Sequence, residues 1–190
     1  MDGRADNARD AASSPEILGV DVLVRGRKFD FVRSTVRGRD GGEFAREYVR
    51  HPGAVLVVAI KDEGSLVMVK NHRAAMDAWV LKCCAGTLEA GERPEACAAR
   101  ELIEETGYRA GTLDELGVFR TSPGLTDELM HAFVGTELEW VGTAPEVDEW
   151  LEVVELPARD VGAMLESGEL VDAKTMLALL MAARRGLVEL

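Results

Sequence analysis

The chain has 190 residues, 22 of them basic and 34 acidic, for a formal charge of −12. That length fits one domain with a small appendage and is enough to bury a core without disulfide staples. The acidic balance argues against a surface that grips nucleic-acid backbones, but leaves room for small phosphate ligands carried in by a cation. No apolar run approaches the ~20 residues of a spanning helix, and none opens the chain in the manner of an export signal. Cys83, Cys84 and Cys97 make an odd count that suits a reducing compartment. The expectation is a cytoplasmic chain with no nucleic-acid and no membrane partner.

Residues 1–15 are rich in Asp, Arg, Ala, Asn and Ser and lack apolar mass, so they are expected to form a disordered arm. Three β-type runs follow, Ile17–Val24, Phe29–Val36 and Phe44–Val49, broken at Arg25-Gly26 and Gly38–Gly42. Together they predict a small antiparallel sheet over residues 16–50. Ala54–Ile60 is continuously apolar, the pattern of a strand buried on both faces. Leu66–Val69 returns as its hairpin partner, and Ala78–Leu81 reads as another strand. A Gly-bearing loop, Gly86–Arg93, leads into a helix from Pro94 to Thr106. Proline suits the first helical position and Gly107 the left-handed stop. Strands are expected near Thr112–Arg120, Glu128–Val134 and Glu149–Val154, then helices at Ala158–Ser167 and Asp172–Arg185. In the last helix Met176, Leu179, Leu180 and Ala183 predict one apolar stripe. Strands, a central helix and terminal helices indicate a mixed α/β sandwich.

The helix from Pro94 carries the most information. Glu101, Glu104 and Glu105 stand at i, i+3 and i+4, so their carboxylates converge within a turn. Ala96, Ala99 and Ile103, with Leu102 at the edge, are expected to pack on the sheet. Three like charges this close repel each other. A hard divalent cation such as Mg²⁺ or Mn²⁺ among them would explain their coexistence. A solvated acidic face, with Arg100 and Glu104 as an ordinary i, i+4 pair, is the alternative.

The wider spacing separates the two. Gly86, Glu92, Arg100, Glu101, Leu102, Glu104, Glu105 and Gly107 match Gly-x5-Glu-x7-Arg-Glu-U-x-Glu-Glu-x-Gly-U, where U is aliphatic; only the last position, Tyr108, departs. Chance agreement over the chain is on the order of 10⁻⁵. This stretch resembles the signature of the Nudix hydrolases. The resemblance implies an α/β/α sandwich of mixed sheet and helices over residues 51–190, preceded by the small antiparallel sheet. It also implies Mg²⁺-dependent (or Mn²⁺-dependent) hydrolysis of a nucleoside diphosphate linked to another moiety. On the family pattern Glu101, Glu104 and Glu105 are metal ligands, with the main-chain carbonyl of Ala85 completing the shell. Gly86, Glu92, Arg100 and Gly107 hold the loop–helix geometry.

From about Val20 to Arg185 the chain resembles the ADP-ribose pyrophosphatase branch, whose reaction yields AMP and ribose 5-phosphate. Pro123 lies where that branch carries a proline, in the loop Ser122–Glu128. The branch implies Glu128 as general base, with Glu101 or Glu105 as rivals and Asp127 as the local alternative. Asn71-His72-Arg73 is similar to the branch's Gln-Tyr-Arg and makes Arg73 a candidate for substrate phosphate or ribose. The 16–50 sheet resembles an arm used there for homodimerisation, with Phe31 or Phe29 placed to stack on adenine. One departure stands out. The branch enters its box through Glu-Leu-Pro-Ala-Gly, whereas this chain reads Lys82-Cys83-Cys84-Ala85-Gly86. Lys82 inverts a charge near the phosphates and leaves other nucleotide sugars or nucleoside diphosphate derivatives open as substrates. A nucleotide-sensing module without catalysis is the remaining alternative. The cysteines show no metal spacing and are expected to pack, whereas His51, His72 and His131, also without metal spacing, are expected at the surface or partly buried and neutral.

Overall fold

The computed structural model describes residues 15–142 and 150–190. All of the expected 1–15 arm except Pro15, and the strand start at Glu149, lie outside them. The chain divides into two compact units. One is Met1–His51 with Gly124–Asp127, and the other is Pro52–Pro123 with Glu128–Leu190.

In the first unit β1 (Glu16–Arg25), β2 (Asp30–Arg37) and β3 (Glu43–Arg50) form an antiparallel sheet in the order β1-β2-β3. Period-2 alternation buries Val32, Ser34 and Val36 on one face of β2. Cross-strand ion pairs join Arg33 to Glu47 and Arg50 to Asp30, each at 2.8 Å. The segment Gly124–Asp127 joins this unit by main-chain pairing, with Val49 N–H donating to Leu125 O at 2.9 Å and Asp127 N–H to Val49 O at 3.2 Å. The Asp127 carboxylate accepts from His51 N–H at 2.7 Å. The ring of Phe29 stacks on that of His51.

The second unit holds β4 (Ala54–Ile60), β5 (Ser65–Arg73), β6 (Ala78–Lys82), β7 (Cys84–Thr87), α1 (Pro94–Thr106), β8 (Tyr108–Arg120), β9 (Leu129–Trp140), β10 (Leu151–Pro157), α2 (Ala158–Ser167) and α3 (Ala173–Arg184). Its sheet runs β10-β5-β4-β9-β8, with β6 added on β5 and β7 on β4. β4 and β9 pair in parallel; the other pairings within this sheet are antiparallel among the described residues. β4 is buried along its whole length, as its apolar run predicts. Val55, Val57 and Ala59 meet Cys97, Ala98 and Leu102 of α1. Leu56, Val58 and Ile60 enter the opposite cluster with Val161 of α2 and Ala178, Leu179 and Ala182 of α3. The mixed sheet therefore lies between two helical layers. No helix among the described residues is long and apolar enough to cross a membrane.

Three expectations are corrected. The four-residue strand β7, expected as loop from Gly86, pairs with Ala54–Val57. Its Cys-Ala-Gly-Thr sequence has no β pattern, and long-range pairing makes it a strand. Helix α1 buries Cys97, Ala98, Leu102, Glu105 and Thr106, while Ala96 and Ala99 are exposed. The helix is thus rotated so that two glutamates of the box lean toward the sheet, where partners await them. Helix α3 buries Thr175, Ala178, Leu179 and Ala182, and Leu180 is 48% exposed. Its small residues allow close approach to β4, and the Thr175 hydroxyl accepts from the Cys83 main chain at 2.9 Å.

Candidate active site

The site is assembled by the turn from β7 into α1. Pro94 occupies the first turn, and Gly107, at φ 76°, closes the helix with its N–H on Ile103 O at 2.8 Å. Before the helix, Glu89 N–H donates to Glu92 Oε2 at 3.0 Å, folding the loop onto its own acid.

Arg100 organises three carboxylates. Its Nε and Nη2 form a fork on Glu92 at 2.9 and 3.0 Å. Its Nη1 donates to Glu101 Oε1 at 2.9 Å and to Glu104 Oε2 at 2.8 Å. The Arg100 hydrogen bond pulls the Glu92 carboxyl down to about 2. Glu101 moves the other way, to about 7, because burial opposes its charge more strongly than Arg100 supports it. The side chain of Glu101 is only 12% exposed, against 32% for Glu104.

Gly86 explains how Glu101 reaches that depth. A Cβ at position 86 would stand 1.7 Å from Glu101 Cδ, so only glycine lets the carboxylate lie against the β7 backbone.

Glu105 has a different environment. Lys82 Nζ lies 2.9 Å from both of its oxygens, and Ala85 N–H donates to Oε2 at 3.0 Å. The pair is 2% and 3% exposed. The Cys84 thiol beside it is pushed well up, by burial first and by Glu105 second. Cys83 and Cys97 are likewise buried, free and raised to about 12, chiefly by burial. These thiols are packed and not nucleophilic.

The crowded acids are thus compensated from within the chain. Glu92, Glu101, Glu104 and Glu105 against Arg100 and Lys82 leave a formal charge of −2. Among the described residues no three His, Cys, Asp or Glu side chains are already spaced around a metal. The donor set nevertheless fits a hard divalent cation. Its ligating atoms are oxygens, and those of Glu101 and Glu104 already converge on one cationic nitrogen.

Gly86, Glu92, Arg100, Glu101, Glu104 and Glu105 are therefore brought together. The other expected site residues lie on different elements. Arg73 is exposed at the end of β5, and Pro123 is exposed after β8. Glu128 immediately precedes β9, and its carboxylate accepts from the Thr121 hydroxyl. Phe31, 41% exposed, belongs to the first unit. The partnership of Lys82 with Glu105 was missed from sequence, although Lys82 alternates with buried Val80 and so signals an inward charge in need of an acid.

A family model described as the NUDIX domain matches residues 50–178. The chain belongs to the Nudix family. It is 42% identical over 164 residues to an ADP-ribose pyrophosphatase of Bacillus subtilis (strain 168), covering 85% of this chain and 89% of that one. It is 33% identical over 165 residues to a GDP-mannose pyrophosphatase of Cronobacter sakazakii (strain ATCC BAA-894), covering 80% and 85%. A crystal structure of an ADP compounds hydrolase superposes with a TM-score of 0.78 over 92% of this chain and 97% of that one. At 24% identity that likeness establishes the Nudix fold. The protein is a Nudix hydrolase.

Proposed function

We propose that this Nudix hydrolase splits the diphosphate of ADP-ribose into AMP and ribose 5-phosphate with Mg²⁺ or Mn²⁺. The observation that carries the reading is the convergence of Glu101 and Glu104 oxygens on one point beside the glycine cradle. The substrate class is supported by the ADP-ribose pyrophosphatase relative.

Glu101 and Glu104 would hold the ion with the Ala85 carbonyl; Glu105, which the family resemblance also names as a ligand, is engaged by Lys82 and Ala85 N–H. When bound, the ion neutralises diphosphate oxygens and acidifies water. With Glu101 and Glu104 committed to an ion, Arg100 would still keep its fork on Glu92 and so hold the helix to the loop. Glu128 is proposed as the base that takes the proton from attacking water, its orientation fixed by the Thr121 hydroxyl. Glu101, held near neutrality, is the rival base. Arg73 is assigned to substrate phosphate or ribose, Pro123 to shaping the loop before Glu128, and Phe31 to the adenine. Solvent-facing Ile17 and Val24 on the first sheet, with Phe29 in the turn between β1 and β2, support a homodimer, and the free thiols support a cytoplasmic setting.

A second reading, hydrolysis of a GDP-sugar, is favoured by the GDP-mannose pyrophosphatase relative and by the Lys82 departure. Turnover of ADP-ribose, GDP-mannose and UDP-sugars at equal Mg²⁺ separates the two. ADP-ribose is expected to give the highest kcat/KM, and indifference to it overturns the proposal.

A further inference from the structure

Among the described residues, Lys82 is a charge at the site that the box signature leaves unexplained. It ends β6 on the α1 face of the sheet, two residues after buried Val80. An ammonium offers three hydrogens. Those of Lys82 face the two oxygens of Glu105, at 2.9 Å each, and Cys83 O at 3.4 Å. Glu105 is equally engaged, since Oε2 also accepts from Ala85 N–H. A metal ion that took Glu105 would strand a buried ammonium without its partner, which is strongly unfavourable. Glu101 and Glu104 are placed differently. Their shared partner, Arg100, retains two bonds to Glu92 when it releases them.

Charge points the same way. With Lys82 the formal charge of the cluster, all four acids ionised, is −2, which one divalent ion cancels; without Lys82 it would be −3.

We propose that Lys82 is a built-in cation that withholds Glu105 from metal coordination and sets the complement of the site at one divalent ion per chain, on Glu101 and Glu104. This rests on the metal-dependent reading above. Lys82 is then a positioning residue: it supplies, from the protein, charge that a second ion would otherwise bring.

Mn²⁺ titration of the full chain, with free Mn²⁺ followed by electron paramagnetic resonance, tests the proposal without reference to turnover. The wild type should bind one Mn²⁺ per chain. The double variant K82M/E105Q, which removes both buried charges together, should still bind one, with Kd within about threefold of wild type. K82M alone should acquire a second Mn²⁺ on the released Glu105. Near-ultraviolet circular dichroism checks that each variant is folded, and if K82M is not, the double variant decides. Two Mn²⁺ on the wild type, or binding weakened about tenfold or more in K82M/E105Q, overturns the proposal by making Glu105 a ligand. Failure of the underlying reading looks different: the wild type binds no Mn²⁺, or E104Q binds it as tightly as wild type.

Discussion

The two faces of β4 solve the same burial problem with opposite chemistry. On the α3 side, leucine, valine and alanine close the interface, and the main polar contact is one hydroxyl of Thr175 on the Cys83 backbone. On the α1 side, similar aliphatic residues lie beside a buried ammonium, a buried carboxylate and an arginine fork. The apolar face can stabilise by area alone, at about 25 cal/mol per Å². The charged face has to match every ion with a partner, because an unpaired one costs more than the packing returns. Stability should therefore reside more on the α3 face, and chemistry on the α1 face.

The largest expected effect comes from spoiling the cradle. Gly86→Ala places a methyl group on Glu101 Cδ, and kcat should fall by about 10²-fold or more while circular dichroism remains native. Retained activity would mean that the depth of Glu101 is irrelevant. Leu179→Ala on the opposite face should do the reverse, lowering urea stability by about 2–5 kcal/mol with kcat per folded molecule kept. The same change at exposed Leu180 should stay within about 0.5 kcal/mol. Thr175→Val leaves Cys83 N–H unsatisfied in a closed interface, for a loss of about 1–3 kcal/mol by denaturant titration. The smallest effect is one of pH. Glu92 titrates at about 2 in the folded chain against an ordinary 4.5, so its contribution is full above about 4.5 and drains away as pH falls toward 2. Glu92→Gln should flatten the slope of Tm against pH in that acidic window and leave the slope above it unchanged.

What the sequence made legible follows from how local each signal is. Ala54–Ile60 and Pro94–Thr106 were read with their observed bounds, because an unbroken apolar run and a Pro/Gly bracket speak for themselves. The seven fixed positions of the box lie within the short stretch Gly86–Gly107, so spacing alone gathered their carboxylates. Helix phase was not local. Alanines 96 and 99 were expected to pack on the sheet and Glu105 to face a metal, yet α1 turns Glu101 onto Gly86 and Glu105 onto Lys82, which belong to other elements. β7 was invisible for the same reason, since its identity as a strand resides in β4. Like-charge crowding alone calls for an outside ion, whereas Arg100 and Lys82 already meet much of that demand.

The Thr175 hydroxyl ties the final helix to the residue that follows Lys82. Any chimera that borrows its C-terminal segment from another Nudix protein must therefore bring a side-chain acceptor to this spot. Otherwise the graft slackens the strand edge that carries the ammonium, and a swap made at the tail is felt in the catalytic chemistry.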